Sequence, residues 1–170
     1  MRSWNEVAAE AGDLADAGRT LLLNCAPAWG IALLGTLRAN GSPRIGPLCV
    51  YILDDRLYVT VEGQKERDLQ RDPRYFLHSY WGEGQDEFAV AGEVTSPVDE
   101  QTRTRLVELE PRTRHSPVIR ELRIDSAHAV TYRNFPRADM YAEVIAWRDG
   151  HGIRRWNRKD PPPPEDVTGQ

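Results

Sequence analysis

The sequence has 170 residues, which is enough for one hydrophobic core and too few for a second full domain. A formal net charge of -4 excludes the strongly basic surface typical of nucleic-acid-binding proteins, and 40% hydrophobic with 28% charged residues excludes a disordered chain. No stretch approaches the ~20 apolar residues of a membrane span, and residues 1–16 lack a basic segment followed by a long apolar run. We therefore expect a cytoplasmic protein with neither nucleic acid nor membrane as a partner.

The N-terminal segment has a helix signature. Ser3 is followed three residues later by Glu6, which is a capping-box pattern, and apolar residues then recur at helical spacing from Val7 to Ala15. This pattern predicts a short amphipathic helix at the start of the chain.

Three antiparallel strands are predicted next. Ile31 to Leu37 form an apolar run, and Asn40-Gly41 can supply the left-handed conformations of a tight hairpin turn. A second strand is predicted from about Pro43 to Leu53, with Asp54-Asp55 as the following turn. Leu57 to Val61 then predicts a third strand, which completes a meander.

The rest of the chain continues as strands with inserted helices. The remaining predicted elements are a polar helix at Lys65–Asp72, strands at Tyr75–Tyr80 and Glu87–Thr95, a helix capped near Asp99 and running to Pro111, a connection at Arg112–Pro117, strands at Ala127–Tyr132 and Tyr141–Trp147, and a short apolar stretch at Ile153–Trp156. This order is not a βαβ alternation, so it predicts a mainly β fold: a closed or split antiparallel barrel with peripheral helices. The four prolines from Pro161 predict a flexible tail over residues 161–170, after a single domain over residues 1–160.

Three short motifs occur in a fixed order. Residues 36–47 read Thr-x-x-x-x-Gly-x-Pro-Arg-x-x-Pro, a strand follows that ends near Thr60, and residues 65–73 read Lys-x-x-x-Leu-x-x-Asp-Pro. With these motifs the chain resembles the pyridoxamine 5'-phosphate oxidase-like superfamily of FMN-binding split-barrel proteins. The resemblance covers Gly30 to Thr95 and, more weakly, Glu143 to Arg154.

The resemblance implies a fold, a cofactor and an assembly. The implied fold is a split antiparallel Greek-key barrel, and the implied protein is a homodimer that holds FMN, or the deazaflavin F420, between its two barrels. It would act as an oxidoreductase on a small organic substrate. The cofactor-binding positions implied by the motifs are Arg44, Ile45, Gly46, Pro47, Thr60, Gln64, Lys65 and Arg67, with Ile45 to Pro47 lying along the flavin ring.

The residue types suit a phosphate-anchored cofactor. Arg44 on a strand can engage phosphate oxygens as a fork, Lys65 at a helix start can act as a point charge, and Thr60 offers a hydroxyl. The alternative interpretation is that Arg44 is a solvated strand residue and that Lys65 belongs to an exposed charged turn.

The sequence leaves two other functions open. One is a haem-binding or haem-handling protein of the same fold, which would use a histidine at the edge of the site. The other is a flavin carrier or sensor without turnover. Residues 147–154 do not match the C-terminal segment of true pyridoxamine phosphate oxidase, which disfavours that enzyme. The histidines are too scattered to predict a metal site, and no side chain is assigned a catalytic role.

Overall fold

A computed structural model of the chain describes residues 1–135 and 137–158. The predicted tail over residues 161–170 lies outside the described residues. The helices are α1 (Trp4–Glu10), α2 (Gly12–Leu22), α3 (Gly63–Arg71) and α4 (Glu100–Leu109), with short 3-10 turns at Glu83–Gln85 and Pro111–His115. The strands are β1 (Trp29–Leu37), β2 (Pro43–Leu53), β3 (Arg56–Val61), β4 (Arg74–Ser79), β5 (Glu87–Pro97), β6 (Val118–Arg133), β7 (Tyr141–Arg148) and β8 (Gly152–Asn157). Within the described ranges, no helix combines the length and apolarity needed to cross a membrane.

The strands form an antiparallel barrel. Their order is β3-β2-β1-β4-β5-β6, and a further pairing of β3 with β6 closes this set of six strands. The closing register runs from Tyr58 opposite Glu121 to Val61 opposite Val118. The order β3-β2-β1-β4 is a Greek key, and β7 and β8 extend the sheet beyond β6. The predicted mainly β barrel with peripheral helices is confirmed.

The core fills the barrel and extends under the N-terminal helices. Alternate residues of each strand point inward, as Ala32 and Leu34 of β1 do, because side chains alternate between the two faces of a strand. Trp4 of α1 lies edge-on to Phe88 of β5, with ring centroids 5.9 Å apart. Burial of a large apolar side chain contributes roughly 1.5 to 3 kcal/mol, so these helices contribute to the stability of the barrel as well as covering it.

The predicted N-terminal helix is present as two helices. The capping box forms, since the backbone N–H of Ser3 donates to Glu6 Oε2 at 2.7 Å. The chain then leaves helical geometry at Ala11, where φ is -138° and ψ is 60°, and α2 begins at Gly12. Because the chain changes direction at this break, both helices can pack their apolar sides onto the curved surface of the barrel.

Both predicted hairpin turns are present, with different backbone geometry. Asp54 and Asp55 have φ values of 49° and 53°, so both residues of that two-residue turn are left-handed. In the β1–β2 hairpin only Gly41 is left-handed, with φ of 79°. Arg38 N–H donates to the Ser42 carbonyl at 2.9 Å, so that loop is longer than the tight turn predicted at Asn40-Gly41.

The first half of β6 was not predicted. The sequence places a strand at residues 127–132, whereas β6 begins at Val118. Charged residues interrupt the apolar pattern there, yet Arg120 and Glu121 are buried, because each has an ionic partner on another element. Charged residues that are buried by ion pairs with distant partners thus interrupt the apolar pattern from which this strand could have been predicted.

Candidate functional site

Strand β2 has an open edge. It pairs with β1 from Pro43 to Tyr51 but with β3 only from Val50 to Leu53. In the described part of the chain, residues 44–49 therefore have no strand partner on the side away from β1. Peptide groups on such an edge are available to a ligand, as they are to an added strand.

A pocket lies between this edge and the start of α3, and we call it the edge pocket. Its volume is about 570 Å³. Five predicted cofactor-binding residues line it, namely Arg44, Ile45, Gly46, Gln64 and Lys65; Glu62, Gly63 and Pro117 complete the wall. The predicted Pro47 adjoins them, since its carbonyl oxygen accepts a hydrogen bond from Lys65 Nζ at 2.6 Å. The fold thus brings together two of the three sequence motifs at one opening.

Lys65 is held close to the backbone of β2. A Cβ atom added at Gly46 would lie 3.4 Å from Lys65 Nζ, so the absence of a side chain there leaves room for the ammonium group. Burial lowers the pKa of Lys65, and the neighbouring charge of Arg44 acts in the same direction, whereas Glu62 opposes it. An anionic ligand would relieve this unfavourable environment, because it favours the protonated amine.

Arg44 is held by an acidic partner that the sequence did not reveal. Its Nε lies 2.6 Å from Asp68 Oδ2, and Thr36 Oγ1 donates to the same oxygen at 3.1 Å. Burial of Asp68 opposes its ionisation, but the hydrogen bonds from Arg44 and Thr36 outweigh burial and hold the pKa of that carboxyl below its ordinary value. The pair uses Nε of Arg44, and the side chain still lines the edge pocket with 26% of its area exposed. Arg44 is therefore ion-paired and only partly exposed, and its assignment to the cofactor phosphate stays a prediction.

Two predicted site residues lie apart from the pocket wall. Thr60 is buried on β3 opposite Ile119 of β6, and Arg67 is exposed on α3. Neither is among the residues that line the edge pocket. Their assignment to the cofactor stays a prediction.

A second pocket, which we call the apolar pocket, lies on the outer face of β1, β2 and β4. Its volume is about 530 Å³, and its wall includes Leu33, Leu37, Pro43, Ile45 and Phe76. Ile45 lines both pockets and is 70% exposed. Large exposed apolar side chains grouped on one sheet face are typical of a binding or association surface.

His78 is the histidine on the wall of the apolar pocket. Its Nδ1 lies 2.6 Å from the carbonyl oxygen of Ser79, which can only accept, so Nδ1 carries a proton. Its Nε2 lies 3.5 Å from Glu87 Oε2. Both ring nitrogens are thus directed at acceptors within the protein.

No family model and no curated protein sequence matches the chain, but solved structures do. A pyridoxamine 5'-phosphate oxidase-related, FMN-binding protein from Nostoc punctiforme PCC 73102 superposes with a TM-score of 0.60 at 15% identity, covering 89% of this chain and 96% of that one. PhzG from Burkholderia lata 383, solved with tetrahydrophenazine-1-carboxylic acid, gives a TM-score of 0.57 at 14% identity, covering 74% and 80%. A heme-binding protein from Mycobacterium smegmatis gives 0.54 at 15% identity, covering 73% and 56%.

Structural similarity at such low sequence identity shows the fold but not the function. The superposition with the Nostoc protein covers most of both chains, so it extends over the barrel as a whole. The chain has the split-barrel fold of the pyridoxamine 5'-phosphate oxidase-related proteins.

Proposed function

We propose that this protein is an oxidoreductase that uses FMN, or alternatively F420, to act on a small organic substrate, with the cofactor held between two copies of the chain. The observation that carries the proposal is the edge pocket, where Lys65 of α3 lies against the open edge of β2 and Arg44 of that edge is paired with Asp68. A bound flavin would supply the electron or hydride transfer, which protein side chains cannot perform themselves.

The residues of the edge pocket fit a flavin in chemical type. Lys65 and Arg44 are the cations that a terminal phosphate requires, and the phosphate would satisfy a lysine whose pKa is lowered by burial. Those peptide groups of residues 44–49 that point away from β1 can exchange hydrogen bonds with the pyrimidine edge of an isoalloxazine. The exposed Ile45 offers an apolar contact to the ring. The role of this chain is thus to bind and orient the cofactor.

The apolar pocket supports the assembly part of the proposal. Ile45 and Phe76 are both exposed on a sheet face that also carries Leu33 and Leu37. A second copy of the chain, related by a two-fold axis, would cover this surface and complete the far side of the edge pocket, because Ile45 belongs to both. The proposed assembly is a symmetric homodimer.

The similar structures agree with this proposal without deciding it. One is described as FMN-binding, one was solved with tetrahydrophenazine-1-carboxylic acid, and one is described as heme-binding. For a haem alternative, His78 is the histidine on the apolar pocket; its Nε2 would have to leave Glu87 before it could ligate iron, whereas the contact of Nδ1 with the Ser79 carbonyl is compatible with such ligation. A flavin carrier without turnover would use the same edge pocket.

The test is a titration of the apo protein with FMN and with F420, followed by flavin fluorescence at fixed salt concentration. We expect tight binding of one cofactor, and roughly ten- to hundred-fold weaker binding after Lys65→Ala, since a charge-assisted contact contributes about 1.5 to 3 kcal/mol. The matched control is Arg38→Ala, which removes one cation from the exposed tip of the β1–β2 hairpin. A wild-type protein that binds neither cofactor, or a Lys65→Ala variant that binds as tightly as wild type, overturns the proposed site.

A second measurement separates the enzyme from the carrier. The bound cofactor is mixed with reductant and then with candidate acceptors in a stopped-flow instrument. Reoxidation that is faster than that of the same cofactor free in solution supports an oxidoreductase. Equal rates with every acceptor favour a carrier.

A further inference from the structure

Helix α3 carries Lys65, one of the two proposed phosphate donors, but it is too short to be stable without contacts to the rest of the protein. It has nine residues, and helices of this length are marginal in isolation. Its buried side consists of Glu66, Asp68 and Leu69, of which only Leu69 is apolar. The placement of Lys65 therefore depends on the partners of two buried carboxylates.

The partner of Glu66 is Arg120 of β6. Arg120 Nε lies 3.0 Å from Glu66 Oε2, and Arg120 Nη2 lies 2.6 Å from Glu66 Oε1, which is a two-point contact. The third arm, Nη1, donates to the carbonyl oxygen of Thr95 at 2.6 Å. The two side chains are only 8% and 10% exposed, so each charge depends on the other for solvation.

The contact joins the helix to the point where the barrel closes. Arg120 lies opposite Val59 in the β3–β6 ladder, and α3 begins two residues after the end of β3. A planar guanidinium that is held at three points fixes both the position and the orientation of the carboxylate it binds. Because Glu66 directly follows Lys65 in the helix, a change in the position of Glu66 also moves the ammonium group.

We propose that Arg120 is a positioning residue for Lys65, the phosphate donor that α3 contributes to the edge pocket. It does not line that pocket; it acts through Glu66, which sets the placement of α3 and so keeps Lys65 Nζ against the carbonyl of Pro47. The inference rests on the proposed flavin function, which it deepens by assigning a distant determinant of phosphate recognition. Asp68 orients Arg44 directly, so the two carboxylates of one helix serve the two cations separately.

A positioning role and a general structural role of Arg120 predict different effects on ligand affinity. If Arg120 has only a structural role, its loss lowers the apparent affinity for all ligands by the same factor, which is set by the fraction of protein that is folded. Loss of a positioning residue for phosphate donors lowers the affinity only for ligands that carry the phosphate. The informative quantity is therefore the ratio of the dissociation constants of riboflavin and FMN, which differ by that group alone.

The experiment measures this ratio for wild type, Arg120→Lys and Arg120→Met, with urea unfolding of each protein. We expect wild type to prefer FMN, Arg120→Met to reduce the ratio roughly tenfold with little change for riboflavin, and Arg120→Lys to retain part of the preference. The matched control is Arg123→Met on the same strand, whose ion pairs with Glu6 and Glu121 are longer and more exposed. Its ratio should equal that of wild type.

If Arg120→Met does not fold, Glu66→Gln/Arg120→Met removes both buried charges and is measured instead, with the same expected loss of ratio. A folded variant that keeps the wild-type ratio overturns the positioning role and leaves the proposed function intact. A wild-type protein that binds riboflavin and FMN equally overturns the phosphate site itself, and the positioning role with it. If wild type binds only F420, the pair of ligands is F420 and the deazaflavin that lacks its phosphate-linked side chain, and Arg123→Met is again the control.

Discussion

The Nε atom of Arg44 lies 2.6 Å from Oδ2 of Asp68, and this ion pair joins β2 to α3 beside the edge pocket. Thr36 of β1 donates to the same carboxylate, so three elements meet at one buried group. The side chain of Asp68 thus both orients Arg44, a proposed phosphate donor, and attaches α3 to the barrel.

We predict that Asp68→Asn lowers the free energy of unfolding by about 1.5 to 3 kcal/mol at pH 7, because it weakens charged hydrogen bonds at a buried position. The pKa of Asp68 lies below its ordinary 3.8, so its carboxylate is ionised and its contribution is fully present at pH 7; that contribution is lost as the pH falls through the folded-state value. Urea unfolding measures the difference. Asp16→Asn, at an exposed position, is the control, and an equal effect of both changes would contradict the prediction.

Gly46→Ala tests the close approach of Lys65 to β2. The added Cβ would lie 3.4 Å from Lys65 Nζ, at the edge of ordinary van der Waals contact, so it would leave the ammonium less room to turn from the Pro47 carbonyl towards a phosphate. We expect FMN to bind roughly three- to tenfold more weakly, which is less than the loss caused by removing Lys65, with stability changed by less than ~0.5 kcal/mol. Gly12→Ala, where a Cβ meets no atom within 4 Å, should leave binding unchanged. Unaltered FMN affinity in Gly46→Ala would argue against contact between Lys65 and the phosphate.

The proposed homodimer is tested by a charge on the apolar face. Wild-type protein should have twice the chain mass by light scattering at micromolar concentration, and Phe76→Glu should be monomeric because an unpaired carboxylate would be buried on association. Leu109→Glu on α4 is the matched control, since Leu109 is 38% exposed against 46% for Phe76 but lies on a helix and not on that face. Monomeric wild-type protein would refute the proposed assembly.

Stability should depend on pH through His128. Burial lowers the pKa of His128 below 6.5, and the neighbouring His78 acts in the same direction while Glu87 opposes both. The unfolded chain therefore binds a proton more readily at this position than the folded protein does, so the free energy of unfolding falls as the pH decreases through about 6.5.

The measurement for His128 is the urea midpoint of unfolding between about pH 5 and 7.5. His128→Gln should flatten the pH dependence over this interval. His151→Gln, at an exposed turn, should leave the slope as in wild type. A slope that is equally steep in His128→Gln would show that another group is responsible.

Much of the fold could be predicted because its signals are local. The Ser3 and Glu6 capping box, the Asp54-Asp55 turn and the helix before Pro73 each depend on residues close in sequence, and all three are present. The strands flanking the β1–β2 hairpin were also found within a few residues of their ends.

The parts that could not be predicted depend on contacts between distant residues. Arg120 and Glu121 look like exposed charges in the sequence, and only their partners Glu66 and Arg56 allow them to be buried in a strand. In the same way, Arg44 could be proposed as a phosphate donor from its motif, but its ion pair with Asp68 depends on how α3 packs against β2. Periodicity reports which residues share a face, and it carries no information about ionic partners across the barrel.

The closure of the barrel has a consequence for how the chain folds. β3 and β6 are far apart in sequence, and their pairing has to overcome the entropy of closing the long segment that holds α3, β4, β5 and α4. Non-local pairings of this kind form slowly. The edge pocket takes its walls from both sides of that closure, from the residues around Lys65 after β3 and from Pro117 before β6. A ligand at this position therefore stabilises the closed barrel by mass action, because its site is complete only after β3 and β6 have paired.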